Sequence, residues 1–127
     1  MTEPKGREPK AARVAIVDDD PDVRGSLLSL LLCEGFAAEA FDSGEALLAD
    51  PAIARFAAVV SDLQMPGING LTLARTIRRE RAVPFLLITA FPSQGLEEQA
   101  QAAGIAGVLR KPFDPADLVD QLLAIIG

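Results

Sequence analysis

The sequence predicts an α/β fold, a single doubly wound five-stranded parallel sheet of (βα)5 type, on three observations. Five short β-type runs alternate with segments of helical length. Three of the runs, VAIV (Val14–Val17), AAVV (Ala57–Val60) and FLLI (Phe85–Ile88), are continuously apolar, as expected for strands covered on both faces. The segments between them carry apolar residues at helical spacing behind capping residues. Strict alternation implies right-handed crossovers and helices on both sides of the sheet.

The strands are read at Arg13–Val17, Phe36–Phe41, Ala57–Ser61, Phe85–Thr89 and Gly107–Leu109. The second, FAAEAF, is more mixed and belongs near an edge. Asp20-Pro21 opens the first helix as N-cap and first helical residue, Val23, Leu27, Leu30 and Leu31 form its inward stripe, and Gly35 ends it. Asp42 and Glu45 have capping-box spacing and open the second. The third runs from Gly70 to about Arg81 with Leu73 and Ile77 on one face. Leu96, Ala100 and Ala103 face inward on the fourth, which Gly104 closes. Asp114-Pro115 repeats the cap-plus-proline start, followed by Leu118, Leu122, Ile125 and Ile126.

Within the 127 residues, 50% are apolar, enough for one hydrophobic core, and residues 1–11 read as a mobile polar tail ahead of one domain at 12–127. The net charge of -6 disfavours direct contact with nucleic acid. No run approaches the length of a membrane span and no secretory signal precedes the fold, so the expected location is cytoplasmic. There is no histidine, which excludes Ser-His-Asp and Cys-His catalysis. The lone Cys33, in a run of leucines, reads as a small buried apolar residue. Leu28 and Leu32 read as widening the buried face of the first helix; the alternative is an exposed docking patch.

Ligands of an open doubly wound sheet bind beyond the C-terminal strand ends. There the sequence places Asp18-Asp19-Asp20, Asp62, Thr89 and Lys111-Pro112. Clustered carboxylates repel unless a cation joins them. A hard divalent ion, Mg2+ above all, suits a few carboxylates with waters and phosphate oxygens. A carboxylate beside it can act as a nucleophile and form an aspartyl phosphate. Asp20, before Pro21, reads as a helix cap and not as a third metal ligand.

The stretches VAIVDDDPDVR, VVSDLQMPGINGL, LLITAF and LRKPF, in this order and each at a strand end, resemble response-regulator receiver domains of two-component, histidine–aspartate phosphorelay systems over about residues 12 to 127. The resemblance implies a flavodoxin-like strand order, 2-1-3-4-5. It makes Asp62 the phospho-acceptor, Asp18 and Asp19 the acidic pair holding Mg2+, and Gln64 a metal ligand through its backbone carbonyl. Thr89 becomes the hydroxyl that responds to the phosphoryl group and Lys111 its cationic partner, with a cis peptide at Pro112. Met65-Pro66-Gly67 and Gly70 match the turn into the third helix.

It also implies a histidine kinase or histidine phosphotransfer protein as phosphate donor, which in this family often packs on the first helix. An output domain or downstream protein would read the signal, and a homodimer would form through helix 4, strand 5 and helix 5. On this reading the chain is no enzyme beyond its own phosphorylation and dephosphorylation. The chain departs from the family at Val108, where an aromatic usually stands, and Phe91 is the candidate to take over signalling or to shield the phosphoryl group.

Two other functions compete. A small aspartyl-phosphate phosphatase uses a similar toolkit, but its acceptor follows the first strand and its substrate pocket needs longer loops. A phosphate-independent interaction module is suggested by Val108. Flavin binding is disfavoured, because the acidic turn DDDPD would repel a phosphate.

Overall fold

The computed structural model describes residues 12–126; the tail expected at 1–11 lies outside the described residues. The strands are β1 (Arg13–Val17), β2 (Ala37–Phe41), β3 (Ala58–Asp62), β4 (Phe85–Thr89) and β5 (Gly107–Arg110). The helices are α1 (Pro21–Cys33), α2 (Gly44–Leu48), α3 (Gly70–Arg78), α4 (Leu96–Ala102) and α5 (Pro115–Ile126). A short 3-10 turn, Ile53–Arg55, between α2 and β3 was not anticipated. All strand pairs are parallel, in the order β2-β1-β3-β4-β5, so the mixed second strand is an edge as expected.

Because successive side chains of a strand face opposite ways, each buried strand feeds two cores. Ala15 and Val17 of β1 and Phe85 and Leu87 of β4 meet Leu47 of α2, Leu73 and Ile77 of α3, and Leu96 and Ala100 of α4. Val14, Ile16, Leu86 and Ile88 meet Leu27 and Leu31 of α1 and Leu118 and Leu122 of α5. The continuous apolar runs are thus explained by burial on both faces.

Most helix starts are those the sequence predicts. Asp20 Oδ1 accepts from the Asp22 N–H (2.9 Å) and Asp114 Oδ1 from the Ala116 N–H (2.9 Å). The second helix differs. Its cap is Ser43, whose Oγ accepts from the Ala46 N–H at 3.0 Å, and Asp42 stays exposed. A box on Ser43 would need its acid at position 46, so Glu45 cannot close one and its carboxylate turns elsewhere. The third helix stops at Arg78, short of Arg81.

Cys33 corrects a second expectation, being exposed. It lies two residues after buried Leu31, about 200° around the helix, and therefore on the opposite side. The leucines of α1 divide the same way. Leu28 is half-buried against the second core, as expected, whereas Leu32 is 52% exposed and widens no buried face.

Candidate functional site at the C-terminal edge of the sheet

Parallel strands bring all their C-terminal ends to one edge, and the order reverses between neighbouring β1 and β3, the position where folds of this kind bind ligands. Asp18 follows β1 and Asp62 ends β3. Asp18, Asp19 and Asp62 each offer a carboxylate oxygen, and these oxygens lie within 4.8 Å of one another. Asp18 is 1% exposed, Asp62 is buried and Asp19 faces solvent. From beyond β5, Lys111 Nζ reaches Asp62 Oδ1 at 3.3 Å and Asp18 Oδ2 at 3.7 Å. The Lys111–Pro112 peptide is cis, as the resemblance implied. Asp20 stands outside the cluster as a cap.

The β1–α1 turn is held by its own backbone. Asp18 Oδ1 accepts from the Asp20 N–H (2.9 Å), and Arg24 Nη1 donates to the Asp18 carbonyl (2.9 Å). Asp18 Oδ2, by contrast, is buried without a hydrogen-bond partner. A buried carboxylate oxygen without a hydrogen bond is costly, and the Lys111 ammonium 3.7 Å away offsets part of that cost.

Thr89, at the end of β4, is 1% exposed, and its Oγ1 accepts from the Phe91 N–H at 3.1 Å. The Lys111 N–H donates to the Thr89 carbonyl at 2.8 Å, tying the lysine's strand to the threonine's. Among the described residues no hydrogen bond or ion pair joins Thr89 to Asp62. Gln64 is exposed two residues past Asp62. Val108 is half-buried against the first core, and Phe91 is 71% exposed. Sequence reasoning missed Arg24, whose signal was a lone basic side chain on the helix following three acids. It also missed the partner of Glu45, for which no local signal exists.

The electrostatics follow from burial. Loss of water is the largest influence on the Asp18 carboxyl and raises its pKa above the ordinary 3.8; the Asp20 N–H and Lys111 pull it back, and Asp19 and Asp20 push it up. Asp62 is raised likewise, by burial first, with Lys111 opposing and Asp18 adding to the rise. With native values above unfolded ones, the native state holds more protons than the unfolded chain between the two. Metal-free stability therefore falls as pH climbs from about 4 through the raised native values. In EDTA, the melting temperature of Asp62→Asn minus that of the wild type is expected to grow over this window. A difference independent of pH would show that the Asp62 carboxyl is not raised.

The sequence profile described as "Response regulator receiver domain" matches residues 14–123. Response regulator protein FleR of Pseudomonas aeruginosa is 41% identical over 113 residues, covering 87% of this chain and 24% of that protein. Transcriptional regulatory protein FixJ of Bradyrhizobium diazoefficiens is 35% identical over 115 residues, covering 89% of this chain and 54% of its own length. The chain thus spans about half or less of these relatives. Among solved structures, chemotaxis protein CheY4 of Vibrio cholerae superposes with a TM-score of 0.83 at 30% identity, over 90% of this chain and 98% of that one. The structure described as FixJ-N superposes with a TM-score of 0.81 at 30% identity, over 91% and 93%. A profile running from the first buried residue of β1 into the last turns of α5, over a sheet of this order, leaves one assignment: the chain belongs to the response regulator receiver domain family.

Proposed function

We propose that Asp62 accepts a phosphoryl group from a phosphohistidine of a histidine kinase or histidine phosphotransfer protein in a Mg2+-dependent reaction in the cytoplasm. The domain then switches conformation to control a partner or an output domain. The observation that carries the reading is the meeting of Asp18, Asp19 and Asp62, the first and last of them buried, with the Lys111 ammonium at the strand ends.

The donor set fits the cation. Three carboxylates offer hard oxygen ligands, and one buried oxygen, Asp18 Oδ2, lacks a hydrogen bond. Asp18, Asp19, Asp62 and the Gln64 carbonyl would hold Mg2+, which would supply positive charge against the phosphoryl oxygens. An Asp62 carboxylate oxygen attacks phosphorus; its O–P bond forms as the donor's N–P bond breaks, and the electron pair leaves with the imidazole. Lys111, already against Asp62, offsets charge on the transferred group.

Thr89 supplies the response. Its Oγ1 accepts from Phe91, which leaves the hydroxyl proton free to donate to a phosphoryl oxygen. Drawing the hydroxyl toward the phosphate gives up the bond to the Phe91 N–H and releases the segment that carries the exposed phenyl ring. This route needs no aromatic at Val108.

Purified domain, incubated with MgCl2 and acetyl phosphate or beryllofluoride, tests the reading. The expected results are one phosphoryl adduct by intact mass and Mg2+-dependent NMR shifts at Asp18, Asp19, Thr89 and Lys111. No adduct and no shift from a folded protein would overturn it in favour of a phosphate-independent module.

A further inference from the structure

The loop between β3 and α3, residues 63–69, begins immediately after Asp62 and contains Gln64. Its ends are joined by the Gly70 N–H donating to the Leu63 carbonyl at 2.9 Å. Between them Met65 and Ile68 pack against the first core, whereas Gln64, Pro66 and Gly67 are exposed. One side chain reaches in from elsewhere: Glu45 Oε2, in the first turn of α2, accepts from the Ile68 N–H at 3.0 Å. Gly67 has φ 78°, and a Cβ there would overlap the Glu45 carboxylate. A Cβ on Gly44 would in turn come within 2.7 Å of Ile68. The start of α2 and the tip of the loop are therefore shaped to each other.

Resting on the phosphoryl-acceptor reading, we propose that Glu45 is a positioning residue of the metal site. Its carboxylate pins the β3–α3 loop through Ile68, so that the Gln64 carbonyl is held ready for the cation. Glu45 lies outside the carboxylate cluster and acts only through the loop. An exposed hydrogen bond of this kind adds little to global stability. Its effect is on preorganisation, as with partners that orient a ligand from behind. A plain helix-dipole role for an acid in the first turn of α2 would depend on its charge alone. The proposed role depends on an acceptor oxygen of the right reach, which glutamine keeps and alanine lacks.

The test is calorimetric titration of MgCl2 into the wild type, Glu45→Ala and Glu45→Gln, with amide exchange at Ile68 and a thermal melt of each. Glu45→Ala is expected to weaken Mg2+ binding about tenfold, the low end for such partners. It should also speed exchange at Ile68 while leaving the melt nearly unchanged. Glu45→Gln should recover most of the affinity and the protection. Unchanged affinity in Glu45→Ala, or glutamine as weak as alanine, would overturn the role of Glu45 while leaving the acceptor reading intact. A wild type that binds no Mg2+ would overturn the acceptor reading itself, and the role of Glu45 with it.

Discussion

Asp62→Asn is expected to abolish phosphoryl uptake from acetyl phosphate, a loss of at least about a thousandfold in rate, with the fold intact. The amide is nearly isosteric and still fits the end of β3 beside Lys111. What it lacks is the anionic oxygen that bonds to phosphorus. Removing the anion also removes a charge for which burial and the repulsion of Asp18 and Asp19 together outweigh the attraction of Lys111. The variant should therefore melt no lower than the wild type in EDTA at neutral pH. Loss of a reactive group and retention or gain of stability are opposite signatures, so one preparation separates chemistry from folding. Intact mass over a time course reads the first and a melt reads the second. An adduct forming at the wild-type rate would place the acceptor elsewhere, with Asp18 the next carboxylate to replace.

Leu86→Ala is expected to cost about 2–5 kcal/mol, a large part of the roughly 5–15 kcal/mol that holds a domain of this kind together. Leu86 is 0% exposed on β4, a strand flanked on both sides by β3 and β5. Its side chain stands in the second core with Val60, Leu118 and Leu122, where sheet, α1 and α5 meet. Truncation leaves a cavity that three elements would have to move to fill, and a sheet paired on both edges of the strand cannot follow. Urea unfolding checks this: the midpoint should fall with the slope unchanged, the sign of lost stability without a new unfolded state. A cost below about 1 kcal/mol would mean that α1 and α5 close on the gap. The folded fraction should still take up phosphate, because Leu86 lies three residues before Thr89 and points away from the strand-end edge.

The two variants illustrate what kind of information the residues carried. That Asp18, Asp62 and Lys111 would meet, with Thr89 at the same edge of the sheet, was readable from the sequence, because parallel strands place whatever follows their apolar runs at one edge. Leu86 was readable as core for a similar reason, since a run apolar at every position must be covered on both faces. The caps at Asp20 and Asp114 are local, set by side-chain oxygens two residues from the N–H groups they accept from. At α2 the cap read at Asp42 falls one residue later, on Ser43, whose Oγ accepts from the Ala46 N–H.

By itself, then, the sequence determined the alternation of elements, the two-faced burial of the strands and the strand-end set of acids, hydroxyl and ammonium. These depend on periodicity and on neighbours along the chain. The tertiary structure alone decided that Leu28 packs while Leu32 and Cys33 face solvent, that Asp18 keeps one buried oxygen open, and that Thr89 is tied to Phe91. It also decided that Glu45 finds Ile68 across 23 residues of sequence. Such contacts depend on how each helix is rotated and seated on the sheet. That rotation is set by the fit of many distant side chains at once, which no short stretch of sequence encodes.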